Sequence, residues 1–329
     1  MKAILYRSYG SPDVLQFEEI EKPAPGDKEA LIKVRAASVN PYDWHFMRGT
    51  PYFLRMLVGL RKPRDQRLGL DVAGVVEAVG RNVTQLRPGE EVFGAGRGAF
   101  AEYVCASESK LTLKPRNVTF EQAASIPIAG LTAFEGLRRG GLNENARTSS
   151  TQKVLINGAA GGVGTFAVQI AKSFGAEVTG VCNTRNMEML RSIGADHVID
   201  YTEEDFTKSG QRYDLILDCI ANHSLPAFRR VLSSKGSYIM VGAADGGGRW
   251  MIGLLVRLLK TVVLSWLGSQ KLVMFGTKIT NQDLTMLAGL MNTGQITPVI
   301  DRRYSLRELP EAVRYLEQGH ARGKVVITL

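Results

Sequence analysis

The pattern of apolar and polar positions changes character partway along the chain. Up to about residue 123, short strand-like runs are cut by turn residues, notably Pro25-Gly26 and Pro88-Gly89, which predicts a β-rich, barrel-like or sandwich-like region. Strands are expected at 1–7, 29–36, 71–79 and 101–104. Near residue 120 the rhythm becomes helical, predicting one helix from Phe120 to Arg139. Beyond the polar stretch 143–151, strands at 153–157, 177–182, 197–201, 214–218 and 237–241 alternate with helices at 162–174 and 187–193. That alternation predicts a parallel sheet with helices on both faces. The tail predicts helices at 281–293 and 305–318 and a strand at 323–328 that could return to the β-rich region. The expected fold class is therefore α/β in two domains, residues 1–123 with 275–329 and residues 124–274.

Composition adds boundaries. The 329 residues, 44% of them hydrophobic, suffice for two lobes of a soluble globular protein. Cys105, Cys182 and Cys219 are far apart and form no Cys-x-x-Cys pair, so buried, reduced thiols are expected rather than disulfides or a metal knuckle. The N-terminus lacks the apolar stretch of a signal peptide, which points to the cytosol. The net charge of +9 is spread over scattered basic residues. No nucleic-acid motif accompanies it, so no nucleic-acid partner is expected; a positive field would attract an anionic cofactor or substrate.

The chemistry begins at Gly158-Ala159-Ala160-Gly161-Gly162-Val163-Gly164, between a strand and a helix. Gly158 permits a tight turn, Gly161 lets backbone approach a pyrophosphate, and Gly164 lets helix and strand pack closely; the helix N-terminus offers N–H groups to the anion. At the end of the next strand stands Cys182-Asn183-Thr184-Arg185-Asn186 instead of an Asp or Glu for a ribose 2′-hydroxyl. Asn183, Thr184 and Arg185 offer donors and positive charge to a 2′-phosphate, which predicts NADPH over NADH. Alternatively Arg185 is an exposed arginine at a helix start.

Further stretches carry a resemblance: 39–44 (Val-Asn-Pro-Tyr-Asp-Trp), 71–80, Gly130-Leu131-Thr132-Ala133, the glycine loop, 194–201 and 319–326. The chain resembles the medium-chain dehydrogenase/reductase superfamily, and within it the zinc-free quinone oxidoreductases, especially plant chloroplast-envelope homologues and enone reductases. The resemblance implies a GroES-like catalytic domain, a Rossmann domain inserted into it, an active-site cleft between them, and homodimers. Zinc-containing relatives have a ligand Cys where Asn40 stands and Gly-His-Glu where Gly69-Leu70-Asp71 stands. No metal is expected, because zinc needs three or four N, S or O ligands.

On this basis the expected activity is hydride transfer from NADPH to a quinone or to the β-carbon of an α,β-unsaturated carbonyl. The oxygen that gains charge would be stabilised by hydrogen bonds, and a tyrosine or water would supply the proton. Asn40, Tyr42, Asp43 and Tyr52 are the catalytic candidates. Asp43 could instead cap a helix, and Tyr42 could pack in the cleft wall. The resemblance places Thr132, Tyr201, Gly242 and Lys324 on the cofactor, although Lys324 could equally be an exposed strand lysine. The apolar segment 250–267 suggests a flap over the cleft. A weak peripheral membrane contact is the lesser expectation there, aided by Arg55, Arg61, Lys62, Arg64 and Arg67. The rival reading is an NADPH-binding redox sensor or scaffold with little turnover. A short-chain dehydrogenase is disfavoured because no Tyr-x-x-x-Lys pair is present and the glycine loop begins only at residue 158.

Overall fold

In the computed structural model, which describes residues 1–142, 151–241 and 269–329 (the side chain of Leu57 apart), the chain opens with β1 (Lys2–Tyr6) and β2 (Leu15–Glu19). Next come β3 (Glu29–Val39), α1 (Pro41–Arg48), α2 (Leu54–Val58), β4 (Asp71–Val79), β5 (Glu91–Ala95), β6 (Tyr103–Ser107) and β7 (Leu111–Leu113). Helices α3 (Phe120–Ala124) and α4 (Pro127–Arg139) lead to β8 (Lys153–Asn157), α5 (Gly162–Ser173), β9 (Glu177–Cys182), α6 (Met187–Ser192) and β10 (His197–Asp200). The series continues with β11 (Tyr213–Asp218), α7 (Leu225–Arg230), β12 (Leu232–Met240) and β13 (Lys271–Met274). The chain closes with α8 (Asn281–Asn292), β14 (Ile300–Ser305), α9 (Leu309–Glu317) and β15 (Lys324–Thr328). Gly242 and the apolar segment 250–267 lie outside the described residues.

Two compact units result, Met1–Leu131 with Lys278–Leu329, and Thr132–Thr277. The sequence-based boundaries at 123/124 and 274/275 fall eight and three residues before these divisions. In the first unit the sheet runs β14-β15-β3-β4-β5-β7, with β6 also on β3. The tail strand β15 lies antiparallel to β3, with Val325 opposite Val39 and Thr328 opposite Ala36. Ile32, Val72, Val92, Phe100 and Ile327 are in its core, while Lys33 and Arg35 of β3 face outward, the alternation of a half-buried strand.

The second unit holds a six-stranded sheet, β10-β9-β8-β11-β12-β13, in which every pair is parallel. Its central strands carry near-continuous buried apolar runs, Val154-Leu155-Ile156 among them, as strands covered on both faces require. Strand order reverses between β8 and β11. Ligands of such sheets bind at that switch point, beyond the carboxyl ends of the strands.

One expected helix is two. The run from Phe120 to Arg139 breaks at Ser125-Ile126 because Pro127 has no N–H and disfavours a helical residue before it. Similarly, the expected helix 305–318 begins as a 3-10 turn, Leu306–Glu308, held by a capping box between Ser305 and Glu308.

Candidate active site

The glycine loop closes the carboxyl end of β8 at the switch point. Gly158 has φ +81°, and a Cβ there would lie 2.7 Å from Cγ1 of Ile220, just beyond β11. Gly164 is needed for a different reason: its Cβ would come within 2.2 Å of the Gly158 carbonyl oxygen. Ala159 and Ala160 are buried, and the Ala159 N–H is fixed on the Val181 carbonyl at 3.0 Å. Gly161 caps α5 with ordinary extended backbone, φ −81° and ψ 177°. Among the described residues, its Cβ would meet only the Gly158 oxygen, at 3.5 Å. The turn is thus tight behind Gly158 and Gly164 and open above Gly161. The amides of Gly162, Val163 and Gly164 begin a 12-residue helix, where N–H groups have no partner within the helix and favour an anion.

A polar network that the sequence reading missed braces this loop. Asn157 Nδ2 donates to Asp218 Oδ1 (2.8 Å) and to Asn222 Oδ1 (2.9 Å). The same Asp218 oxygen accepts the N–H groups of Ile220 and Ala221, and its other oxygen accepts Tyr238 Oη at 2.6 Å. Ala221 is held at φ +61°, a conformation that costs a non-glycine residue energy. The sequence clue was polar residues ending two apolar strands.

Beyond β9, Asn183 caps the 3-10 turn Thr184–Asn186, with Thr184 and Arg185 exposed. Asn183 Oδ1 is buried without a hydrogen-bond partner among the described residues. A second omission lies beside it. Asp200, paired with Cys182 in register, is held below the ordinary carboxylate range by the hydroxyls of Thr184 and Thr202. Its Oδ1 also accepts the Thr202 N–H at 2.9 Å. This corner therefore contains a negative charge on the neighbouring strand, alongside the carboxylate-free end of β9. Tyr201 follows it, 55% exposed. Thr132 is nearly buried, its hydroxyl 2.7 Å from that of Thr277.

In the first unit, three expected site residues come together. Asn40 follows β3 and caps α1, and Asp43 closes the capping box by accepting the Asn40 N–H at 2.8 Å. The other Asp43 oxygen accepts the Gly69 N–H at 3.0 Å. The Asn40 amide is occupied at both ends, donating to Asp71 Oδ2 (2.9 Å) and accepting from Lys324 Nζ (2.5 Å). Lys324 Nζ also stands 3.6 Å from Asp71 Oδ2, which accepts Ser38 Oγ at 2.7 Å. The remaining Asp71 oxygen accepts the N–H of Ile128, in the first turn of α4, at 3.0 Å. Lys324 is only 3% exposed, which removes the exposed-strand alternative.

Burial opposes both kinds of charge in this cluster. It pushes the Lys324 ammonium down and the Asp71 carboxyl up, while their mutual attraction works the other way. Asp43, wholly buried and near Asp71, is pushed up to about 7. Between the unfolded-chain value near 4 and that value, the folded protein holds a proton the unfolded chain has released. Stability from this group accordingly falls as pH rises from about 4 to about 7. Denaturant titration of Asp43→Asn at pH 5 and pH 8 should show the larger cost at pH 5; the reverse order would contradict the assignment.

The two tyrosines differ. Tyr42 is half-buried with its ring 4.0 Å from that of Phe46, and its hydroxyl is pushed up, first by burial. Tyr52 is 70% exposed and sits under the Arg55 guanidinium at 4.9 Å. Neither makes a recorded hydrogen bond to Asn40 or Asp43. Among the described residues no group of three His, Cys, Asp or Glu side chains could hold a metal ion.

Residues 26–116 match the family model described as alcohol dehydrogenase GroES-like domain, and residues 193–327 that described as zinc-binding dehydrogenase. The chain is 35% identical to the mitochondrial NAD(P)H oxidoreductase RTN4IP1 of Bos taurus, over 100% of this chain and 89% of that protein. It is 32% identical to the chloroplastic NADPH-dependent alkenal/one oxidoreductase of Arabidopsis thaliana, over 99% and 79%. The solved quinone oxidoreductase from Coxiella burnetii superposes with a TM-score of 0.84 at 29% identity, covering 100% of this chain and 99% of that one. The GroES-like domain and the parallel dinucleotide-type domain expected from the sequence are both shown.

Proposed function

The chain belongs to the medium-chain dehydrogenase/reductase superfamily, and on that footing we propose that it reduces a quinone or the β-carbon of an enone with NADPH and without zinc. The carrying observation is the turn at 158–164, closed behind Gly158 and Gly164 and open above Gly161 at the start of α5. Such a turn fits a dinucleotide pyrophosphate. When bound, the nicotinamide supplies the hydride. The chain holds the cofactor and offers donors to the acceptor oxygen. Tyr42, shielded and keeping its proton at neutral pH, is better suited to that task than exposed Tyr52.

Zinc independence is supported by the donor set. Asn40 and Leu70 provide neither thiolate nor imidazole, and the Asn40 amide is bound between a carboxylate and an ammonium. Preference for NADPH is supported by the absence of a carboxylate at the end of β9 and by exposed Arg185, and opposed by Asp200 and by the buried Asn183 Oδ1, an acceptor that suits a hydroxyl better than a phosphate. The comparison is direct: turnover with NADPH should exceed that with NADH, and Arg185→Ala should raise KM for NADPH by about tenfold or more, with NADH unaffected. Equal use of both cofactors, or an unchanged KM in the variant, would defeat the preference. NADPH oxidation should be screened against quinones, short and long enones and γ-ketols. Inactivity across that panel would favour the non-catalytic alternative.

A further inference from the structure

Of the seven exposed large apolar side chains among the described residues, four fall within nine residues: Tyr52, Phe53, Met56 and Leu60, the first and the last two 70% exposed or more. Hydration of such a patch is unfavourable, and clustered apolar exposure marks a surface that something covers. The segment is built to present them. The Tyr9 hydroxyl donates to the Gly59 carbonyl at 2.5 Å, and Arg55 donates to the carbonyls of Gly49 (3.0 Å) and Arg48 (3.1 Å). The Arg64 N–H reaches the Val58 carbonyl at 2.8 Å. Gly59 turns the chain at φ +128°, where a Cβ would lie 2.1 Å from the Lys62 carbonyl oxygen.

Charge says what covers it. From Trp44 to Arg64 there is no Asp or Glu, and there are five basic residues. Two are spent internally: Arg48 on Glu317, and Arg55 on the two carbonyls and the faces of Tyr9 and Tyr52. Just beyond, Arg67 is paired with Asp65 at 3.1 Å. Arg61, Lys62 and Arg64 are exposed, and among the described residues no carboxylate pairs with them. An isologous contact with a second copy would set these like charges near each other. Tyrosine, phenylalanine and aliphatic side chains beside unpaired cations match the boundary between anionic headgroups and acyl chains.

We propose that the turn 52–64 of the first unit is a docking surface for an anionic lipid bilayer, with Met56 and Leu60 entering the interface and Arg61, Lys62 and Arg64 engaging the headgroups. The contact proposed is a peripheral one; among the described residues no helix is long and apolar enough to cross a membrane. It places a lipophilic acceptor's solvent against the enzyme, yet it stands on exposure and charge and does not depend on the proposed reaction.

The test is sedimentation of the full chain with vesicles of phosphatidylcholine alone and of phosphatidylcholine mixed equally with phosphatidylglycerol, at low and high salt. Binding is expected to the mixed vesicles and to weaken with salt. The triple variant Arg61→Gln, Lys62→Gln, Arg64→Gln should lower partitioning on the order of 100-fold. The pair Met56→Ser, Leu60→Ser should lower it about tenfold or more. Both variants should keep the thermal midpoint of the parent, so that lost binding is not lost fold. No binding to the mixed vesicles, or binding that survives in either variant, would overturn the proposal. So would a dimer of the parent chain that the serine pair converts to monomer without any vesicle binding.

Discussion

Lys324→Met is expected to cost about 3–5 kcal/mol of folding stability, the scale on which removing one partner strands the other in a buried ion pair. Among the described residues the ammonium is the only cation paired with the buried carboxylate Asp71, and its loss also leaves Asn40 Oδ1 and the Val39 carbonyl without a donor they now have. A native domain has roughly 5–15 kcal/mol in reserve, so the loss is a large part of the total. The deficit should grow with pH, because at low pH Asp71 can take up a proton and no charge is left behind. Urea denaturation measures it, and a loss under about 1 kcal/mol would show that the pair contributes little. Adding Asp71→Asn should recover part of the loss, because the two side chains meet and their effects cannot add.

The second large effect separates two glycines of one loop. Gly161→Val puts a side chain on backbone that any residue adopts, where among the described residues its Cβ meets only the Gly158 oxygen at ordinary contact distance. The fold should therefore survive within about 1 kcal/mol, the cost of a poorer helix cap. The new side chain sits at the cap, next to the amides of Gly162, Val163 and Gly164 that would receive a pyrophosphate, and NADPH affinity should fall on the order of 100-fold or more. Gly164→Ala should do the opposite in order of cause, since its Cβ would collide with backbone at 2.2 Å and the unit should lose stability first. Cofactor-fluorescence titration beside thermal melts distinguishes the two. Tight NADPH binding by a well-folded Gly161→Val protein would refute the placement of the pyrophosphate.

The parallel unit was legible because its physics is local. Strands buried on both faces need unbroken apolar runs, and the spans 153–157 and 177–182 match the structure residue for residue. The first unit was less so. Short strands such as β5 and β7 and the five-residue helix α2 are stabilised by partners distant in sequence and carry little period of their own. The break at Pro127 was readable, and the helical rhythm around it prevailed in the reading. Asn40 and Asp43 were found through a motif, but Asp71 and Lys324 were not seen as a pair. They stand on strands far apart in sequence, and the one local trace is a charged residue opening a mostly apolar strand. Asp200 was hidden likewise, since it ends a different strand, which only the formed sheet brings alongside the end of β9.

The tail strand has a consequence for the order of assembly. The second unit, Thr132–Thr277, is one continuous stretch and can be completed while later residues are still being synthesised. The first cannot. Its sheet lacks β15, and Asp71 and Asn40 lack their ammonium, until residues 324–328 emerge and travel back across 284 positions to Asn40. That pairing is non-local and waits on all the residues between, so it forms late. Through that interval the nascent first unit carries two inward-facing aspartates without a counter-charge and one open strand edge on β3, which makes it the part of the chain most in need of protection before release.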